Sequence, residues 1–61
     1  MTGEQLRRIR MRLDLTQAEL GKRLAVTANT VARWERNEVG ISEPMAKLIR
    51  LLTAAPNRAR R

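Results

Sequence analysis

Two residues, Ala25 and Val26, separate Leu24 from Thr27, and this spacing restricts the fold more than any other feature of the chain. Before it, Thr16-Gln17-Ala18-Glu19 reads as a capping box: the Thr16 hydroxyl accepts from the Glu19 amide, and the Glu19 carboxylate returns to the Thr16 amide. A helix therefore starts there, turns Leu20 and Leu24 inward at a spacing of four, and ends near Leu24 or Ala25. After the link, Thr27 caps another helix over Thr27 to Arg36, with Val31 and Trp34 on its buried face and Ala28 or Ala32 at the margin. A connection of three or four residues forces two helices to cross sharply. Gly21 is small where they must approach, and Leu20, Leu24, Val26, Val31 and Trp34 supply the apolar wedge between them.

The flanks are helical too. Leu6, Ile9 and Leu13 recur at steps of three and four, marking one face of a first helix that Thr2 or Gly3 caps. Asp14 follows it at a position where helices end in a left-handed residue. Asn37 to Gly40 reads as loop. Ser42 caps a fourth helix, with Glu43 against the positive end of the helix dipole and Pro44 in the first turn, where a missing amide costs nothing. Met45, Leu48, Ile49 and Leu52 form its inward stripe, and Pro56 is expected to stop it. The expectation is a compact all-α domain of four helices, or five, over residues 1–55, followed by a basic tail over 56–61.

Composition narrows the function. Sixty-one residues make one domain, and a chain this short buries only about 60% of its unfolded surface. With no Cys and no His, disulfides, thiolate chemistry and the commonest metal ligands are absent, so neither a metal nor a cofactor is expected. The carboxylates are Glu4, Asp14, Glu19, Glu35, Glu38 and Glu43, and no acid–base couple suggests itself among them, which argues against an enzyme. The stretch from Met1 to Leu13 is broken by Arg7, Arg8, Arg10 and Arg12 and does not read as a signal peptide. The longest apolar run, Leu48 to Ala55, is interrupted by Arg50 and Thr53, well short of the roughly 20 residues of a membrane helix. A soluble, cytoplasmic protein is expected. Its net charge of +7 points to a polyanionic partner. An anionic membrane surface fits less well, because the apolar stripes are short and taken up by a core.

The segment LTQAELGKRLAVTANTVARWERNE, Leu15 to Glu38, resembles the Cro and phage-repressor type of helix-turn-helix regulators, the XRE family. The likeness extends more loosely back to Leu6 and forward to Leu52. It implies a lambda-repressor-like fold whose third helix lies in the DNA major groove. Ala28, Asn29 and Arg33 then match the base-reading positions: Asn29 suits adenine, Arg33 guanine, and Ala28 a thymine methyl. Gln17, at the start of the second helix, matches a phosphate-contacting position, and Thr27 and Thr30 are short donors near the groove edge. Arg36 and Asn37 follow the reading helix, within reach of neighbouring phosphates. Arg10 matches the family position that pairs with the Glu after the aromatic residue, here Glu35, as a structural ion pair. The chain departs from the pattern at Ala25 and Asp14, where Gly is common.

Such regulators bind palindromic double-stranded operators as homodimers. Ile41, Leu51 and Ala55 offer apolar surface beyond what so small a core absorbs, and are the expected dimer contact. The tail arginines Arg58, Arg60 and Arg61 are placed to follow the phosphate backbone. The leading expectation is a sequence-specific repressor. The alternative is an antitoxin that binds a toxin protein as well as its own operator; such proteins commonly carry an additional toxin-binding segment, and five residues follow Pro56. Sequence-specific RNA binding would call for aromatic platforms, and the chain has one aromatic residue.

Overall fold

A threonine starts each of the first three helices in the computed structural model, which describes the backbone of residues 1–59 and the side chains of residues 1–52. α1 spans Gly3–Arg12, and of the two candidate caps it is Thr2 that serves: its Oγ1 accepts from the Gln5 amide at 3.1 Å, and Gln5 Oε1 accepts from the Thr2 amide at 2.9 Å. α2 spans Gln17–Leu24, with the reciprocal bonds of Thr16 and Glu19 at 3.0 and 2.8 Å. α3 spans Ala28–Glu35; Thr27 Oγ1 accepts from the Thr30 amide at 3.1 Å, and the two threonine hydroxyls lie 2.9 Å apart. α4 spans Glu43–Ala59, and Ser42 Oγ accepts from the Met45 amide at 3.3 Å.

The first three helices also end alike. In α1, α2 and α3 a residue with φ near 60° (Asp14, Ala25 and Asn37 respectively) reverses the chain. Two backbone bonds close each end: Leu15 N–H to Arg10 O and Asp14 N–H to Met11 O, Val26 N–H to Gly21 O and Ala25 N–H to Lys22 O, Glu38 N–H to Arg33 O and Asn37 N–H to Trp34 O. This is the Schellman pattern, which satisfies carbonyls that a helix end otherwise leaves unpaired. Glycine is the usual occupant of its left-handed position, yet no glycine here has positive φ.

Two of the glycines serve close packing instead. A Cβ on Gly3 would lie 2.4 Å from the Trp34 carbonyl oxygen and 2.6 Å from that of Glu35, so α1 crosses the end of α3 backbone to backbone. A Cβ on Gly21 would lie 2.7 Å from the Val26 carbonyl oxygen, which sets how tightly the link folds back on α2.

The core is Leu6, Leu20, Leu24, Val31, Trp34, Ala46 and Ile49, drawn from all four helices. Met1, Ile9, Leu15, Val26, Ile41, Met45 and Leu52 pack around the larger members. α3 lies against both α1 and α2. The inward stripe of α4 needs correction. Ala46 and Ile49 form its innermost line, whereas Leu48, which the periodicity puts in the core, is 39% exposed. The helix is rotated so that Ala46 and Ile49, rather than Leu48, meet the core. α4 also continues past Pro56, where the sequence predicts a stop. An interior proline removes one backbone bond, and its φ is compatible with a helix whose neighbouring bonds hold. The side chains of Ala55, Arg58, Arg60 and Arg61 lie outside the described residues.

Candidate nucleic-acid interface

The short link and the Thr27 cap fix the direction in which α3 leaves α2, and two buried side chains fix its rotation. Val31 is fully buried and Trp34 is 6% exposed. Asn29 and Arg33, four residues apart, therefore share the outward face. Asn29 is exposed, with no side-chain hydrogen bond among the described residues. Arg33 is exposed too, and its Nε lies 3.8 Å from Glu38 Oε1. Ala28 and Thr30 are half-buried at the start of the helix, while Thr27 is exposed.

A single carboxylate braces this helix from behind. Glu35 Oε2 accepts from Arg10 Nε at 2.6 Å, and Oε1 accepts from Arg10 Nη2 at 3.2 Å and from Gln17 Nε2 at 3.1 Å. Arg10 Nη1 donates in addition to the Leu15 carbonyl at 2.9 Å. The end of α3, the last turn of α1 and the first residue of α2 are thus tied at one point. Burial pushes the Glu35 carboxyl up, but the hydrogen bonds from Arg10 and Gln17 and the charges of Arg10 and Arg7 outweigh it, and the group lies below its ordinary pKa. The Gln17 side-chain amide is turned toward this carboxylate. At the start of α2 the Gln17 and Ala18 backbone amides lie in the first turn and have no acceptor within the helix, the position at which a helix end can take an anion.

Beyond α3 the chain gathers a second cluster. Arg36 Nε donates to Glu38 Oε2 at 2.8 Å and Nη2 to Oε1 at 3.4 Å. That hydrogen bond and the paired charge raise the Arg36 pKa and lower that of Glu38, with a further lowering from Arg33. The Asn37 side chain faces the fold: its Oδ1 accepts from the Gly3 amide at 3.0 Å and joins the end of α3 to the start of α1. Sequence reasoning missed Gly3 and Glu38. Gly3 carries no periodic signal, and Glu38 lies past the helix end, where spacing rules no longer apply.

Among the described residues no group of acidic, Cys or His side chains is placed to hold a metal ion, and no helix is long and apolar enough to cross a membrane. A family model described as helix-turn-helix matches residues 6–55, which takes in α2 and α3 whole and most of α1 and α4. The chain belongs to the helix-turn-helix family. Its type is that of the Cro and XRE regulators, a family of DNA-binding domains in transcription regulation. No curated protein and no solved structure matches it.

On this helix-turn-helix protein the residues expected at a dimer contact fare differently. Ile41 is half-buried and packs against the protein's own core. Leu51 is 65% exposed, and Leu48 and Val39 add further exposed apolar surface. Basic charge is not confined to the α3 side. An open groove of about 260 Å³ is lined by Met1, Gln5, Arg8, Ile9, Arg12 and Arg50. Arg8 and Arg12 stand about 160° round α1 from Arg10, so this groove faces away from α3.

Proposed function

We propose that this chain is a sequence-specific transcriptional regulator, a repressor, that reads a palindromic double-stranded operator with α3 and acts in the cytoplasm. One observation carries the reading: Val31 and Trp34 are buried while Asn29 and Arg33, on the same eight-residue helix, are exposed. That leaves a helix face bearing one amide and one guanidinium, the two groups whose geometry matches the major-groove edges of adenine and guanine. Ala28 lies beside them for a thymine methyl. The unpaired Gln17 and Ala18 amides, with Thr27, Thr30 and Arg36, take phosphates, which position the helix without reading sequence. Asn37 contributes by holding the end of α3 on α1.

One reading helix spans only a few base pairs, so two copies are needed for a useful site. The exposed Leu51, with Leu48 and Val39, supports a homodimer. Repression follows from occupancy, because a bound dimer over a promoter blocks polymerase without any further surface.

The test is selection of bound duplexes from a random library, followed by sedimentation with and without the selected site. A palindromic consensus bound by two chains is expected. Enrichment of no sequence would overturn the reading, and a non-palindromic site bound by one chain would remove the dimer. A reporter whose promoter overlaps the selected site should fall silent when the protein is expressed.

A further inference from the structure

We infer that Glu38 is a specificity-determining positioning residue: one carboxylate, shared between the guanidiniums of Arg33 and Arg36, holds down the attraction of the reading helix for non-cognate duplex. The inference rests on the reading of α3 given above. Its observations are the distances of 3.8 Å from Arg33 Nε to Glu38 Oε1 and 2.8 Å from Arg36 Nε to Glu38 Oε2.

The carboxylate does not hang from a loose loop. The Glu38 amide donates to the Arg33 carbonyl at 2.9 Å, Asn37 is held in the left-handed region, and Asn37 Oδ1 takes the Gly3 amide. The cap of α3 thus delivers the Glu38 side chain to the helix's last exposed cations. Arg33 and Glu38 side chains remain 54% and 49% exposed, so the cluster is accessible to a duplex.

Two kinds of DNA contact respond differently to this neighbour. Attraction to phosphates grows with the number of uncompensated cations and ignores sequence. Glu38 leaves two guanidiniums with a net charge of only one unit, which lowers that contribution on every duplex. A bidentate bond from Arg33 to guanine is directional and is made only on the right base. The carboxylate is closer to Arg36 than to Arg33, so the guanidinium proposed to read sequence is steered by it yet releasable, and the one proposed for phosphate is held more firmly.

The experiment compares native protein with Glu38→Gln on the selected site and on a random duplex of equal length, across a salt series. The substitution leaves the backbone cap intact, so melting temperature should not move. For Glu38→Gln, binding to the random duplex should tighten about fivefold at low salt, in keeping with an exposed ion pair, and the slope of log K against log salt should steepen by about one unit. The selected site should gain about twofold or less, so that specificity falls. In an Arg33→Gln/Arg36→Gln background, Glu38→Gln should have no effect on the ratio of the two affinities.

Native specificity and salt slope in Glu38→Gln would overturn the inference while leaving the DNA reading intact. So would equal tightening on both duplexes, or a full effect in the double-Gln background, since either would make Glu38 a mere bulk negative charge. Failure of the native protein to prefer any duplex would overturn the reading and this inference together.

Discussion

The Arg10 guanidinium meets the Glu35 carboxylate through two bonds, Nε to Oε2 at 2.6 Å and Nη2 to Oε1 at 3.2 Å, with only 16% and 7% of the two side chains exposed. Planar fork against planar carboxylate is the arrangement in which a half-hidden ion pair holds its geometry. Removing one partner strands the other. Arg10→Ala should destabilise the domain by about 3 kcal/mol, because it leaves a buried carboxylate with Gln17 alone. Arg10→Met with Glu35→Leu should recover much of that loss by filling the space with apolar atoms. Urea titrations of the three proteins provide the measurement.

Acid should act through the same group. The folded Glu35 pKa lies below its unfolded value, so its contribution is fully present above the unfolded pKa and is lost as pH falls through the folded one. Melting temperature should therefore decline on acidification below the ordinary glutamate range. In Glu35→Gln that decline should be visibly shallower, and an unchanged acid limb would remove Glu35 as its source.

Ala25 holds φ 61° without the freedom of glycine. Ala25→Gly should relieve about 1–2 kcal/mol of left-handed strain and give back about 0.4–1 kcal/mol through the looser unfolded chain. The net gain, about 0.5–1 kcal/mol, corresponds to a rise in Tm of roughly 2–8 °C for a domain this small. Asn37 has the same φ, but Asn37→Gly should gain less or lose, since the bond from the Gly3 amide goes with it. Thermal melts of both variants separate backbone strain from side-chain bonding.

Gly→Ala inside a helix ordinarily stabilises by about 1 kcal/mol. Gly3→Ala and Gly21→Ala should do the opposite, because each new methyl would press on backbone carbonyls rather than on side chains that can turn away. A net loss of about 1–3 kcal/mol is expected for each, and calorimetry would register a gain if the helices could simply part.

On DNA, Arg33→Ala and Asn29→Ala should each relax preference at one base position, at about 1–3 kcal/mol of discrimination apiece. Arg36→Ala, which removes a guanidinium proposed for phosphate, should weaken all sequences about equally. Repeating the duplex selection with each variant checks this, and loss of affinity with an unchanged consensus would unseat both readers.

What the sequence made legible is what local hydrogen bonding decides. Thr16 with Glu19, and Thr27 two residues after Ala25, announce helix starts because the cap and its acceptor lie within four residues. The wedge of Leu20, Leu24, Val31 and Trp34 is legible because two adjacent helices with a short link have one way to bury it. α4 is different. Its rotation is set by the surfaces of three other helices, so a period of 3.6 could not choose Ala46 over Leu48. Arg33, Arg36 and Glu38 meet because a left-handed Asn37 turns the chain, a geometry no residue spacing encodes. Gly3 reads as a cap from sequence, and only the crossing of α1 over Trp34 gives it another purpose.

Trp34 is the sole aromatic side chain, and it lies buried on the inner face of the proposed reading helix. Every ultraviolet signal from aromatic residues thus originates at one place, the junction of α3 with the rest of the core. Its emission reports whether that helix is seated, without any label, while the indole stays shielded from a duplex on the far side.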